Sequence, residues 1–220
     1  GAPPAEALPE REPTQFSVTD RAAGGSQGGR WYADEHGQQW FGKSYGGDVD
    51  RVEGEHLANQ LYRLFGADAP ASRIAEVGGK RVLMSREVPG RIATSAEDIA
   101  ATNAKDAFVV DAWLANHDVV GTGYDNILVS GPKAVRIDNG GATIWRAQGQ
   151  PKEFKALVGE LDSMRDPQHY AGRAFANLTP GEVDQQVQRF AAEYPAKKTA
   201  IDQLIDGSAL SRKAKEQIKT

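Results

Sequence analysis

Apolar and polar residues alternate with a period of two over much of the chain up to about residue 90, and recur at helical spacing over much of the remainder. QFSVTD (15–20) is the first strand candidate. WYADEHGQQWFGKSY (31–45) reads as a hairpin, two aromatic-flanked arms meeting at Asp-Glu-His-Gly, where Gly37 suits the positive φ of a tight turn. RVEGEHLANQLYRLFG (51–66) places Val52, Leu57, Leu61, Leu64 and Phe65 close to helical period, with Gly66 where a C-cap is expected. Gly54 weakens the first turn, so the pattern predicts a helix starting near Glu53 or Glu55. ASRIAEV (71–77) and KRVLMSREV (80–88) flank Gly78-Gly79 as a second hairpin.

Past about residue 95 the pattern turns helical. Ser95 with Asp98 resembles a weak capping box, and KDAFVVDAWLANHD (105–118) predicts a buried helix. YDNILVS (124–130), a Gly-Pro turn and KAVRID (133–138) predict one small embedded hairpin. The rest, after Trp145, reads as helix. Thr179-Pro-Gly-Glu182 combines an N-cap, a first-turn proline and a glutamate, and Val183, Val187, Phe190 and Ala191 mark an apolar face beyond it. The expected class is α+β in two lobes: a disordered leader over 1–14, a strand-rich N-lobe over 15–90 and a helical C-lobe over 91–220.

Composition narrows the chemistry. With 26 basic and 30 acidic residues the net charge is −4, which argues against a nucleic-acid partner, and the basic C-terminal residues Arg212, Lys213, Lys215 and Lys219 read as a solvated helix face. No cysteine is present, which removes disulfides, thiol nucleophiles and Cys-ligated zinc. AFVVDAWLA (107–115) is too short and too interrupted to span a bilayer. The expectation is a soluble chain, cytoplasmic or a secreted effector. The four tryptophans, Trp31, Trp40, Trp113 and Trp145, read as core rather than stacking platforms.

Four features carry candidate chemistry. A glycine-rich turn (Gly24, Gly25, Ser26, Gly28, Gly29) can bring backbone N–H groups close to phosphate oxygens, although alone it also reads as a flexible connector. Lys43 alternates with Phe41 and Tyr45 on one strand; a half-buried ammonium there needs an anion, and the next helix offers Glu53 and Glu55. Asp118 follows a buried helix and precedes Gly-Thr-Gly and Asp125-Asn126. A strand ends at Asp138, before Asn139 and two glycines. Taken singly, the last two also read as Asx turns.

Their order matters more than any one of them: glycine loop, strand lysine, helix glutamate, hairpin, buried helix, Asp…Asn, strand, Asp-x-Gly. It is the order of parts used in phosphoryl transfer by kinases. GGSQGGRWY, QQWFGKSY and EHLANQLYRLFG resemble the atypical kinases grouped around HipA-like toxins and bacterial phosphatidylinositol 3/4-kinase-like proteins, over about residues 20–145. The resemblance implies a two-lobed protein-kinase-like fold with a reduced helical C-lobe, and an ATP- and Mg- or Mn-dependent phosphotransferase acting on a protein acceptor. It implies that Gly25, Ser26, Gly28, Gly29, Lys43 and Glu55 hold the nucleotide phosphates, and that Met84, Glu87 and Val88 lie at the hinge against the adenine. Asp118 takes the position of the catalytic base and Lys43 is the second catalytic residue, while Asn126 and Asp138 take the metal positions.

The family spaces base and metal Asn more closely than the eight residues from Asp118 to Asn126, and His117 precedes Asp118 where relatives carry an Arg after it. Three other readings therefore stand beside the protein kinase. They are a lipid or small-molecule kinase, a nucleotide-binding pseudokinase or interaction domain, and transfer of another group from ATP.

Overall fold

The computed structural model describes residues 12–24, 28–145, 152 and 160–219. Five strands form an antiparallel sheet in the order β1-β2-β3-β5-β4: β1 (Phe16–Val18), β2 (Arg30–Asp34), β3 (Gln39–Lys43), β4 (Ser72–Val77) and β5 (Lys80–Arg86). Both predicted hairpins are present, with Gly37 at φ +80° and Gly78-Gly79 at +60° and +78° in the turns. Trp31 pairs with Phe41, and Lys43 with Leu83, so these side chains share one face. Tyr32, Trp40, Val82 and Met84 cluster on the other.

α1 (Val49–Leu64) packs against β4 and β5 on the Leu83 face. It begins before the predicted Glu53 or Glu55, because Asp48 caps it by accepting from Arg51 N at 3.2 Å. Gly54, the residue that weakened the prediction, is a close-approach glycine: a Cβ there would lie 3.0 Å from Trp145 Nε1. Gly66, at φ +80°, terminates the helix as expected. Val52, Leu57 and Leu61 are buried, each stabilising the fold by about 1.5–3 kcal/mol relative to exposure.

The remainder is helical around a second sheet. β6 (Arg91–Ile92), β7 (Ile127–Ser130) and β8 (Lys133–Arg136) form it, so the predicted hairpin gains a short third strand. The helices are α2 (Ala96–Ala100), α3 (Phe108–Trp113), α4 (Glu160–Ser163), α5 (Tyr170–Ala174), α6 (Pro180–Gly207) and α7 (Arg212–Lys219). The predicted helix over 105–118 is shorter than expected. A 3-10 turn at Ala104–Ala107 precedes α3, and Ala115, at φ +50°, leaves Asn116, His117 and Asp118 on a loop. Gln186 of α6 explains the change of pitch: it accepts from Val109 N at 3.2 Å and donates to Lys105 O at 2.8 Å. The capping box of Thr179 and Glu182 is complete. The apolar face of α6 is corrected, however: Val183 and Gln186 are buried, whereas Val187 and Ala191 are exposed.

The predicted leader falls mostly on residues 1–11, outside the described residues. Its last part is tied to the sheet, Glu12 to Arg73 at 2.7 Å and Thr14 N to Glu35 at 2.7 Å.

Candidate active site

The cleft between the five-stranded sheet and the helical part is a cavity of about 490 Å³. Phe41, Lys43 and Trp31 line it from the sheet, Glu87 and Val88 from the connector, and Asp125, Asn126 and Asp138 from the second sheet and its loops. Trp31 is thus a cleft residue and not core. Trp40 is core, and Trp113 packs with Phe65, Phe190 and Tyr194.

Lys43 is the centre of the site. Its Nζ lies 3.1 Å from Glu55 Oε1 and 3.3 Å from Asp138 Oδ1. Burial alone would lower the lysine pKa, but Glu55 and Asp138 outweigh it and hold the ammonium above its ordinary value. Glu53, one turn from the strand, pairs with Arg81 at 2.6 Å instead. Glu55, only 1% exposed, also accepts from the Tyr45 hydroxyl and from Asn139 N at 3.2 Å. A buried carboxylate requires such a full set of donors. Burial first, then the charges of Glu55 and Asp138, push the Tyr45 phenol well above its usual range, so it stays a donor. The Tyr45 hydroxyl stands where a side chain at position 140 would be, so only glycine fits there.

Asp118 and Asn126 meet despite their separation in sequence. Asn126 Nδ2 donates to Asp118 O at 2.7 Å and to Asp118 Oδ2 at 3.3 Å. Val119 and Val120 are buried, and the chain then turns back through Gly121 at φ +75° and Tyr124 at φ +62°. The intervening residues form a compact excursion that returns Asn126 to Asp118. Burial raises the Asp118 pKa, nearby Asp138 and Asp125 add to the effect, and the Asn126 hydrogen bond and Lys152 oppose it. Asp118 does not line the 490 Å³ cleft but a neighbouring pocket of about 110 Å³ with His117, Gly121 and Tyr170, joined to the cleft through Asn126; a raised carboxylate there suits proton acceptance. Lys152 donates to Ala115 O and to Gly141 O, at 2.6 Å for the latter, joining the loop of Asp118 to the loop after Asp138.

The donor set for a divalent cation is partial. Asp138 presents 46% of its side chain to solvent. Its Oδ1 is shared by Lys43 and Gly140 N, which leaves Oδ2 open among the described residues. Asn126 turns its amide nitrogen to Asp118, which leaves its carbonyl oxygen as a donor. Among the described residues no group of three His, Cys, Asp or Glu converges as a complete site. Two hard oxygen donors at the edge of this cleft fit Mg²⁺, which keeps few protein ligands and takes the rest from water and phosphate.

The other predicted residues are dispersed. Met84 is fully buried with Tyr32, Trp40 and Val82 on the outer face of the sheet, so its side chain is core; Ser85, one residue on, faces the cleft. Of the glycine turn, Gly24 lines the cleft, Gly25 and Ser26 lie outside the described residues, and Gly28 and Gly29 lead into β2. Gly29 is packed under the Phe41 ring, where any side chain would collide. His117 pairs with Glu160 at 3.5 Å.

Sequence reasoning missed Tyr45 and Asn139. The period-two alternation that selected Lys43 also puts Tyr45 on its face, and that was the available signal. It also missed a buried network. Arg136 Nε and Nη2 donate to Asp111 at 2.6 and 2.7 Å, Tyr62 OH donates to Asp111 at 2.7 Å, and Asn116 joins Tyr62 to Asn139 at 3.0 and 3.4 Å. The signal was Asp111 itself, a lone carboxylate inside an apolar run, which demands a buried cation.

The fold has a counterpart among solved structures. The chain is similar to the solved structure of the Helicobacter pylori proinflammatory kinase CtkA, with a TM-score of 0.61 over 93% of this chain and 89% of that one, at 12% identity. The fold is kinase-like. At that identity the likeness concerns architecture: the curled antiparallel sheet, the helix beneath it and the helical part across the cleft. No protein-family model matches the chain, and no curated protein is significantly similar to it in sequence.

Proposed function

We propose that this chain is a compact atypical kinase that transfers the γ-phosphoryl group of ATP, with Mg²⁺ or Mn²⁺, to a hydroxyl of a protein. The observation that carries the reading is the Lys43 ammonium held between Glu55 and Asp138, at 3.1 and 3.3 Å, in the interlobe cleft. In this reading Lys43, aimed by Glu55, binds the phosphates. Asn126 and Asp138 would hold the metal, which supplies charge neutralisation at the phosphates. Asp118, kept in place by Asn126, orients the acceptor hydroxyl and takes its proton. Little covalent chemistry is asked of the protein; positioning and charge supply the rate. The motifs further suggest kinship with HipA-like and phosphatidylinositol 3/4-kinase-like proteins and a role as a bacterial toxin or effector.

A protein acceptor is favoured over a lipid. Among the described residues no helix is long and apolar enough to cross a membrane. The basic helix α7 buries its apolar residues Ala214 and Ile218 in the protein core, so it has no apolar face to lay on a bilayer.

Incubation with γ-labelled ATP and Mg²⁺, read by autoradiography and intact mass, tests the reading. We expect a phosphate-sized mass gain that Asp118→Ala and Asp138→Ala both abolish while circular dichroism is unchanged. Undiminished transfer by either variant overturns its assigned role. A nucleotide-sized gain identifies transfer of another group, and binding without turnover identifies a pseudokinase.

A further inference from the structure

One contact at the cleft mouth joins the expected hinge residue Glu87 to Arg21, which has no part in the chemistry above. Arg21 precedes the glycine turn, and Glu87 is the first residue of the connector after β5. Arg21 Nη1 lies 2.6 Å from Glu87 Oε1, and the guanidinium lies 3.7 Å from the centroid of the Trp31 ring. All three residues line the interlobe cavity.

Both ends of this contact are anchored. Thr19 donates to Trp31 O through its N–H at 2.9 Å and its hydroxyl at 3.1 Å, and Arg21 N donates to Thr19 Oγ1 at 3.3 Å. Glu87 N donates to Gln39 O at 3.0 Å. The backbone is therefore held on each side, while the pair itself bridges the gap by side chains. The side chains are 45% and 33% exposed, so water and salt screen their attraction and the contact opens readily. Stacking on Trp31 adds a cation–π contribution and keeps Arg21 aligned for re-closure.

We propose that Arg21 and Glu87 form a clasp across the base end of the cleft, which a nucleotide opens to enter and again to leave. The clasp rests on the nucleotide reading given above. It predicts a kinetic signature that a direct ligand contact lacks. A residue that only touches bound nucleotide slows release alone, whereas a clasp slows both entry and release.

The test is stopped-flow binding of a fluorescent ATP analogue with Mg²⁺ to the full chain. For Arg21→Ala and for Glu87→Gln we expect association and dissociation rate constants to rise together, roughly three- to tenfold. For Arg21→Ala, Kd then moves by less than about threefold. Raised salt should speed release from the natural chain by a larger factor than from Arg21→Ala, in which only the phosphate contacts remain to be screened. The charge-swapped double variant Arg21→Glu/Glu87→Arg should restore slow exchange, which a loss of folding could not do. A rise in dissociation alone, unchanged rates in both single variants, or a swap that stays fast overturns the clasp while the nucleotide reading stands. Failure of the natural chain to bind the analogue overturns the nucleotide reading and the clasp with it.

Discussion

Asn126 donates its side-chain amide to both the main-chain oxygen and the carboxylate of Asp118, at 2.7 and 3.3 Å. The contact depends on Gly121. That residue has φ +75°, and an added Cβ would lie 2.7 Å from Asp125 Oδ1 and 3.0 Å from Asn126 Cγ. Asp125 is exposed and can swing aside, but Asn126 is held. We expect Gly121→Ala to lower stability by about 1–2 kcal/mol. We also expect it to cut phosphate transfer at least tenfold, by pushing Asn126 off Asp118. Gly123→Ala is the control, because its methyl would meet Asp125 Oδ1 at an ordinary 3.6 Å. Equal rates for the two variants would show that the turn does not hold the site together.

Tyr45 and Gly140 are coupled through space. The Tyr45 hydroxyl bonds Glu55 and fills the volume beside Gly140. Tyr45→Phe should lower turnover by roughly three- to tenfold with little change in KM for ATP, because Lys43 keeps its remaining partners. Gly140→Ala should be worse. With the hydroxyl gone the nearest ring atom, Cζ, stands 3.3 Å from the new methyl, so Tyr45→Phe should partly rescue Gly140→Ala. Steady-state kinetics of the four-member cycle check this, and additive losses would refute the coupling.

The acid limb of the pH–rate profile should report Asp118. The base must be ionised to accept a proton, so activity falls as pH falls through its pKa. Burial together with Asp138 and Asp125 raises that pKa, which places the limb above the usual carboxylate range. Asp125→Asn removes one neighbouring charge and should move the limb to lower pH. A limb that does not move would exclude Asp118 as the titrating group.

His56, next to Glu55 in the chain but turned to Ser72, predicts a pH-dependent stability. It sits beneath the sheet with Nδ1 2.7 Å from Ser72 Oγ, and burial, reinforced by Arg73, lowers its pKa to about 4. The folded state thus binds a proton less readily than the unfolded chain, whose histidine titrates near 6.5. Its contribution is present above that value and is lost as pH falls toward 4. Urea midpoints should fall by the equivalent of about 2 kcal/mol between pH 7 and 5 from this residue. His56→Gln should flatten the dependence.

The Asp111–Arg136 pair is almost wholly buried. Asp111→Ala leaves an uncompensated guanidinium and should cost about 3–5 kcal/mol, lowering Tm by roughly 10 °C. The double variant Asp111→Leu/Arg136→Met removes both charges and should recover part of the loss. Calorimetry on the single and double variants decides it.

Much of the fold was legible because it is locally encoded. Period-two arms, turn glycines at 37 and 78–79, the Gly66 cap and the Thr179–Glu182 capping box each act within a few residues of themselves. Legibility failed where a distant residue intervened. Asp48 started α1 early, Trp145 explained Gly54, and Gln186 remade the start of α3. Met84 shows the same limit within one strand. Its place in the sequence suggested the hinge, but strand register turned its side chain to the opposite face from Lys43.

For the candidate site, the sequence alone determined which chemical groups are available and in what order: a lysine on a strand, glutamates on the next helix, and three Asx positions around a small hairpin. It excluded thiol and disulfide chemistry outright. The residue pattern left Glu53 and Glu55 open and the family resemblance pointed to Glu55; the tertiary structure sets Glu55 against Lys43, and it alone decided that the excursion after Asp118 brings Asn126 back to it. It also showed that Tyr45 and Asn139 complete the shell of Glu55. The reason is physical. A buried charge is tolerated only with its full set of partners, and those partners arrive from strands, helices and loops far apart in the chain, so their selection is a property of packing.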